Sequence, residues 1–216
     1  MILYGSSLSP FVRKVIAFAA EKGIELEVRG IPLGSPDPEF RAASPLGKMP
    51  ALIDGDFSIP DSTAIVTYLD AVAPGPRLIP DEPRLRARAY WWDEFADTEL
   101  FGCGRQMFFN RLIGPLFLKV AGDEAAALKA ETEQLPKLLA YLDGVVPDEG
   151  YLLGDAITLA DIAVASPFAN LRHLDLEPTI ARYPRVAAYV DRILARPSFA
   201  EMVAKEARLL DRAKAA

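Results

Sequence analysis

Three short stretches of this chain carry residue types suited to holding an anion. Ser9 stands immediately before Pro10, and Phe11, Val15, Phe18 and Ala19 then recur at helical spacing until Gly23. Proline suits the first position of a helix, so Ser9 falls at a helix mouth. Free backbone N–H groups and a partial positive charge favour a negative group there. A serine at that place is also an ordinary cap, and the Ser9-Pro10 pair alone does not choose between the roles. Asp61-Ser62 opens a second apolar-periodic run, setting an acceptor beside a donor at another helix start. Between them, Gly47-Lys48-Met49-Pro50 puts a cation next to a proline. Such a proline can take a cis bond or simply open an edge strand. Later, Phe101, Arg105, Met107, Phe108 and Arg111 make an apolar stretch with two cations embedded in it.

The elements that must position these residues follow from the pattern. Ile2-Leu3-Tyr4 reads as a short strand, Gly5 to Ser9 as a loop, and 24–31 alternates like a strand. Asp37 to Ala43 reads as a short helix. Ala51-Leu52-Ile53 and Phe57-Ser58-Ile59 flank Asp54-Gly55, a pair that supports the positive φ angles of a hairpin turn. Asp61 to Ala71 completes a β-α-β-α-β-β-α unit with a mixed sheet. Pro74, Pro76, Pro80 and Pro83 then crowd a segment with little helical capacity, which reads as a linker. The remainder reads as helices: 84–112, disturbed around Gly102 and Gly104, then 123–145, one starting at Thr158, 182–195 and 198–212. Thr158 and Asp161 have capping-box spacing, with Ile157 and Ile162 placed as a hydrophobic staple. The expectation is an α/β domain over residues 1–76 and an all-α domain over 84–216.

Bulk properties narrow the function classes. The 216 residues are 51% hydrophobic and 25% charged, an ordinary globular balance. Thirty acidic against 24 basic residues disfavour nucleic acid as a partner. No apolar run approaches the ~20 residues needed to span a bilayer, and the first twelve residues lack a signal-peptide pattern. A cytoplasmic protein without membrane partners is expected. Cys103 is the only cysteine, so no intrachain disulfide can form. It is expected to be buried and inert, with Tyr4 in the core and His173 an isolated helix residue.

The segments Ser9-Pro-Phe-Val-Arg13, Ser44-Pro-Leu-Gly-Lys-Met-Pro-Ala-Leu52 and Pro60-Asp-Ser-Thr-Ala-Ile65 resemble, in order and spacing, three motifs of the serine-type cytosolic glutathione transferases. Leu153 to Asp161 and Tyr183-Pro184 resemble that family's helical half. The resemblance implies a thioredoxin-like N-terminal domain followed by helices, with glutathione as co-substrate and no metal. It also implies a homodimer pairing the α/β domain of one subunit with the helices of the other. Ser9 would donate a hydrogen bond to the glutathione sulfur. Met49, before a cis Pro50, would pair with the cysteinyl backbone, and Lys48 with the glycine carboxylate. Asp61 would take the γ-glutamyl ammonium and Ser62 its carboxylate. Phe11, Phe101, Arg105, Met107, Phe108 and Phe168 would line the electrophile pocket, where Arg105 and Arg111 hint at an anionic acceptor. Two departures stand out. Asp61 is shorter than the glutamate of many relatives, and Gly34 occupies a place where several have a basic residue. The implied activity is conjugation of glutathione to a small hydrophobic electrophile. Alternatives on the same fold are glutathione-dependent isomerisation, dehalogenation or ether cleavage, or a non-catalytic scaffold of the stringent-starvation type. A glutaredoxin-like reductase is disfavoured, since it needs cysteine where Ser9 stands.

Overall fold

The computed structural model describes residues 1–215. Strand β1 (Ile2–Tyr4) leads through a loop to α1 (Pro10–Glu21), then β2 (Glu27–Arg29), α2 (Pro38–Ala43), β3 (Ala51–Asp54), β4 (Phe57–Pro60) and α3 (Ser62–Val72). The sheet order is β2-β1-β3-β4. β1 and β2 are parallel, while β1–β3 and β3–β4 are antiparallel. The mixed sheet is therefore as expected, although β2 is three residues rather than eight. The hairpin register pairs Asp54 with Phe57, so its turn is Gly55-Asp56, one residue later than the sequence suggested. Gly55 supplies the positive φ (62°).

Helices follow: α4 (Pro83–Phe95), α5 (Phe101–Phe108), α6 (Glu124–Lys129), α7 (Leu135–Val145), α8 (Leu159–Arg172), α9 (Glu177–Ile180), α10 (Pro184–Leu194) and α11 (Pro197–Lys214). The expected long helix is disturbed, but not at its glycines. Gly102 and Gly104 lie inside regular α5, whereas the π-helical stretches Ala96–Leu100 and Phe109–Leu118 flank it. Widened turns of this kind often occur at functional sites. No helix of the described residues is long and apolar enough to cross a membrane.

The core sits where α8 packs against α1 and α4. All of α8 from Leu159 to Leu171 is buried, as befits a helix that is apolar on nearly every face. Its start is fixed by Asp161, whose carboxylate accepts from Leu152 N (2.8 Å), Thr158 N (2.9 Å), Thr158 Oγ1 (3.0 Å) and the Tyr189 hydroxyl (2.8 Å). The linker is pinned as well. Buried Lys22 donates to Asp70 Oδ1 (3.1 Å) and Pro76 O (2.9 Å), and Leu159 N reaches Leu78 O at 2.8 Å.

Candidate functional site

A cavity of about 1090 Å³ lies between the α1 mouth, the 44–50 loop and the α5 face. The loop before α1 approaches the helix closely at Gly5. Its φ is 144°, and a Cβ there would meet Val12 Cγ2 at 2.5 Å. Ser9 follows in an extended conformation, with its N–H bonded to Ser6 O at 2.9 Å. Its carbonyl accepts from Arg13 N at 2.9 Å, but its hydroxyl makes no capping bond. Ser9 lines the cavity. The N–H groups of Phe11 and Val12, the next residues of α1, are left without intrahelical partners by the geometry of a helix start. Serine as a mere cap is thus not what this conformation uses.

The loop is clamped from behind by α8 and α11. Asn170 Nδ2 donates to Leu8 O (2.9 Å) and Ser166 Oγ to Pro10 O (2.7 Å). Fully buried Arg13 donates to Ser166 O (2.7 Å), Asn170 Oδ1 (2.8 Å) and Glu206 Oε2 (2.7 Å). His173 Nε2 lies 3.0 Å from Glu206 Oε2, which corrects the expectation that His173 is isolated. Burial by itself pushes the Glu206 carboxyl up. The Arg13 charge and hydrogen bonds from His173, Arg13 and Ser7 outweigh it, leaving the group below the usual range.

Opposite Ser9, the Ser44 hydroxyl ties the 44–48 loop by donating to Lys48 O (2.7 Å) and accepting from Lys48 N (3.1 Å). The Met49–Pro50 bond is cis, and Lys48, Met49 and Pro50 all line the cavity. Asp61 adopts a positive φ (78°) and caps α3 with Oδ1, accepting from Ala64 N at 3.0 Å. Ser62, 3% exposed, follows on the same wall.

Asp97, on the π-helical turn after α4, joins this wall. It shares buried Lys14 (2.7 Å) with Asp93 (2.6 Å). Burial pushes Asp97 up to about 6, against the opposing Lys14 charge. A carboxyl whose folded value exceeds its ordinary 3.8 stabilises the fold below about pH 4, and that contribution is lost as pH rises through 6. Melting temperatures of wild type minus Asp97→Asn should therefore fall between pH 4 and 7. A flat difference would show that Asp97 ionises normally.

Phe11, Phe101, Arg105 and Phe108 line the apolar half of the cavity, and the Phe11 and Phe101 rings meet at 4.4 Å. Phe168 does not. It is fully buried in the main core, as is Met107, which does not line the cavity either, and α8 presents Pro167 and Asn170 to the cavity instead. Arg111 is also spent elsewhere, on Glu124 (2.7 Å) and Glu131 (2.6 Å). Tyr4 is buried against Phe40, its hydroxyl engaged by Glu39 and Arg29. Burial pushes the Cys103 thiol up to about 11. Sequence reasoning missed Asp97, Pro167, Asn170 and Leu209 as wall residues, and no local motif marks them.

The chain and its fold are similar to those of known proteins. The family models for the glutathione S-transferase N-terminal and C-terminal domains match residues 3–77 and 103–197. Glutathione S-transferase 3 of Zea mays is 32% identical over 208 residues, 94% of this chain and 92% of that protein. A stringent starvation protein A homolog of Coxiella burnetii is 27% identical, over 92% and 89% of the two chains. The crystal structure of a glutathione S-transferase from Methylobacillus flagellatus with GSH bound superposes with a TM-score of 0.76 at 29% identity, over 93% and 98% of the chains. With both domain models matched in order and an identity of this extent, the chain belongs to the glutathione S-transferase family.

Proposed function

We propose that this cavity binds glutathione and that Ser9 holds its sulfur as a thiolate for attack on a small hydrophobic electrophile. A thiol of this kind titrates near ~8.5, so most of it is protonated at neutral pH, and only the thiolate is a strong nucleophile. Lowering the value by two units requires about 2.7 kcal/mol of selective anion stabilisation. The Ser9 hydroxyl and the α1 N–H groups supply preorganised donors for it. Ser9 keeps its own proton throughout.

The observation that carries this reading is the uncommitted Ser9 hydroxyl facing a cavity that also holds Lys48, Met49, Asp61 and Ser62. In it Met49 pairs with the cysteinyl backbone, and Lys48 takes the glycine carboxylate. Asp61 takes the γ-glutamyl ammonium with the oxygen not used for capping, while Ser62 and the α3 N–H groups receive the adjoining carboxylate. Phe11, Phe101 and Phe108 receive the electrophile. The functional division is residues 1–76 for glutathione and 84–216 for the acceptor, in a cytoplasmic homodimer.

The test is retention on immobilised glutathione, together with a rise in melting temperature with free glutathione, followed by a panel of electrophiles. Retention with stoichiometric loss of glutathione supports conjugation. Turnover without net loss points to isomerisation. The Coxiella burnetii relative's name keeps a scaffold role in view, and absence of both retention and thermal shift would put that role ahead.

A further inference from the structure

We propose that Arg105 selects acceptors carrying a carboxylate at the far end of an apolar body; this rests on the preceding reading of the cavity as the conjugation site. Arg105 is exposed on the α5 face and lines the cavity. It lies four residues after Phe101, hence about 6 Å further along the same helix face. Phe101 in turn touches Phe11, two residues beyond Ser9. An acceptor lying on Phe11 and Phe101 with its reactive carbon toward Ser9 therefore directs its other end to Arg105.

What distinguishes Arg105 is that its charge is uncommitted. Among the described residues it takes part in no ion pair and donates no hydrogen bond, while Arg111, six residues on, is held by two glutamates. The Arg105 guanidinium carbon sits 5.8 Å from the centroid of the Phe109 ring. A cation–π contact of that kind uses none of the guanidinium N–H groups as hydrogen-bond donors, so the fork that can receive a carboxylate through two parallel bonds stays unspent. The two acidic wall residues, Asp61 and Asp97, lie at the α3 side with the peptide groups. The apolar half of the cavity thus has one cation and no anion. Lys48, the other cation on the wall, stands on the 44–50 loop.

A matched pair of electrophiles reads this directly: an aryl vinyl ketone bearing an oxyacetic acid on the ring, and its methyl ester. In each, the thiolate sulfur bonds to the terminal vinyl carbon, and the carbanion formed beside the carbonyl takes a proton from water. No further reactant is needed. The ratio of kcat/KM for acid over ester should fall about tenfold in Arg105→Gln, at the lower end for a charged hydrogen bond because the site is open to solvent. Arg105→Lys should keep part of the preference. Calorimetric Kd values of the two preformed conjugates give a readout independent of turnover and should show the same collapse. A ratio unchanged in Arg105→Gln, with KM for glutathione raised instead, would assign the cation to the peptide and overturn the proposal. Conjugates that bind with equal affinity in wild type would also overturn it. Acid-selective conjugate binding that Arg105→Gln abolishes, without turnover of either ketone, would uphold Arg105 while removing the thiolate mechanism.

Discussion

Ser9→Ala should reduce kcat for conjugation by about 10²–10³-fold, the usual effect of deleting one preorganised donor to a developing or bound anion. Glutathione affinity should stay within a few-fold, because Lys48, Met49, Asp61 and Ser62 remain in place on the cavity wall. The diagnostic signal is the ultraviolet absorption of bound thiolate near neutral pH, which wild type should show and Ser9→Ala should lose. Folding should change little, since the Ser9 hydroxyl caps nothing and its backbone bonds to Ser6 and Arg13 survive substitution. An undiminished thiolate signal would move the credit to the Phe11 and Val12 N–H groups or to Ser6, which also lines the cavity.

Glu206→Ala is expected to be the most destabilising single change near the site. It leaves the guanidinium of Arg13, fully buried, without its carboxylate. Stranding one partner of a buried pair costs about 3–5 kcal/mol, which in a chain of this size lowers the melting temperature by roughly 10 °C. The same network holds Leu8 and Pro10, so turnover should fall even where the protein stays folded. The pH dependence has a definite sign. Glu206 titrates below its ordinary value in the fold, so its contribution is present above the ordinary carboxylate range and is lost as pH falls through the folded value. The stability gap between wild type and Glu206→Ala should therefore narrow in acid. A gap that is small, or constant with pH, would mean that Arg13 finds adequate partners in Ser166 and Asn170 alone.

The two halves of this site differ in how they are written in the chain. Ser9-Pro10, Gly47 to Pro50 and Asp61-Ser62 are each a few consecutive residues whose local conformation does the positioning, so their types and spacing were readable. The capping box of α8 belongs to the same kind. Phe168 does not reach the cavity because α8 is buried around its whole circumference, and periodicity then names no outward face. The π-helical turn before α5, Ala96–Leu100, has no composition that sets it apart from ordinary helix, whereas the one after it carries Gly114-Pro115; the glycines that looked like breakers, Gly102 and Gly104, are accommodated within α5. The clamp on the Ser9 loop was invisible for a different reason. Asn170, Ser166 and Glu206 are ordinary helix residues until tertiary packing brings them to Arg13, 193 positions before Glu206, and His173 joins only through Glu206.

That separation bears on how the protein is made. At about 5–20 residues per second, roughly 10–40 s of translation pass between Arg13 and the glutamate that neutralises it. During that interval the emerging N-terminal segment carries a cation whose native burial site does not yet exist. The clamp behind the serine loop is therefore complete only after α11 has left the ribosome. Chains cut short before that helix should be cleared as misfolded rather than accumulate as a half-active glutathione binder.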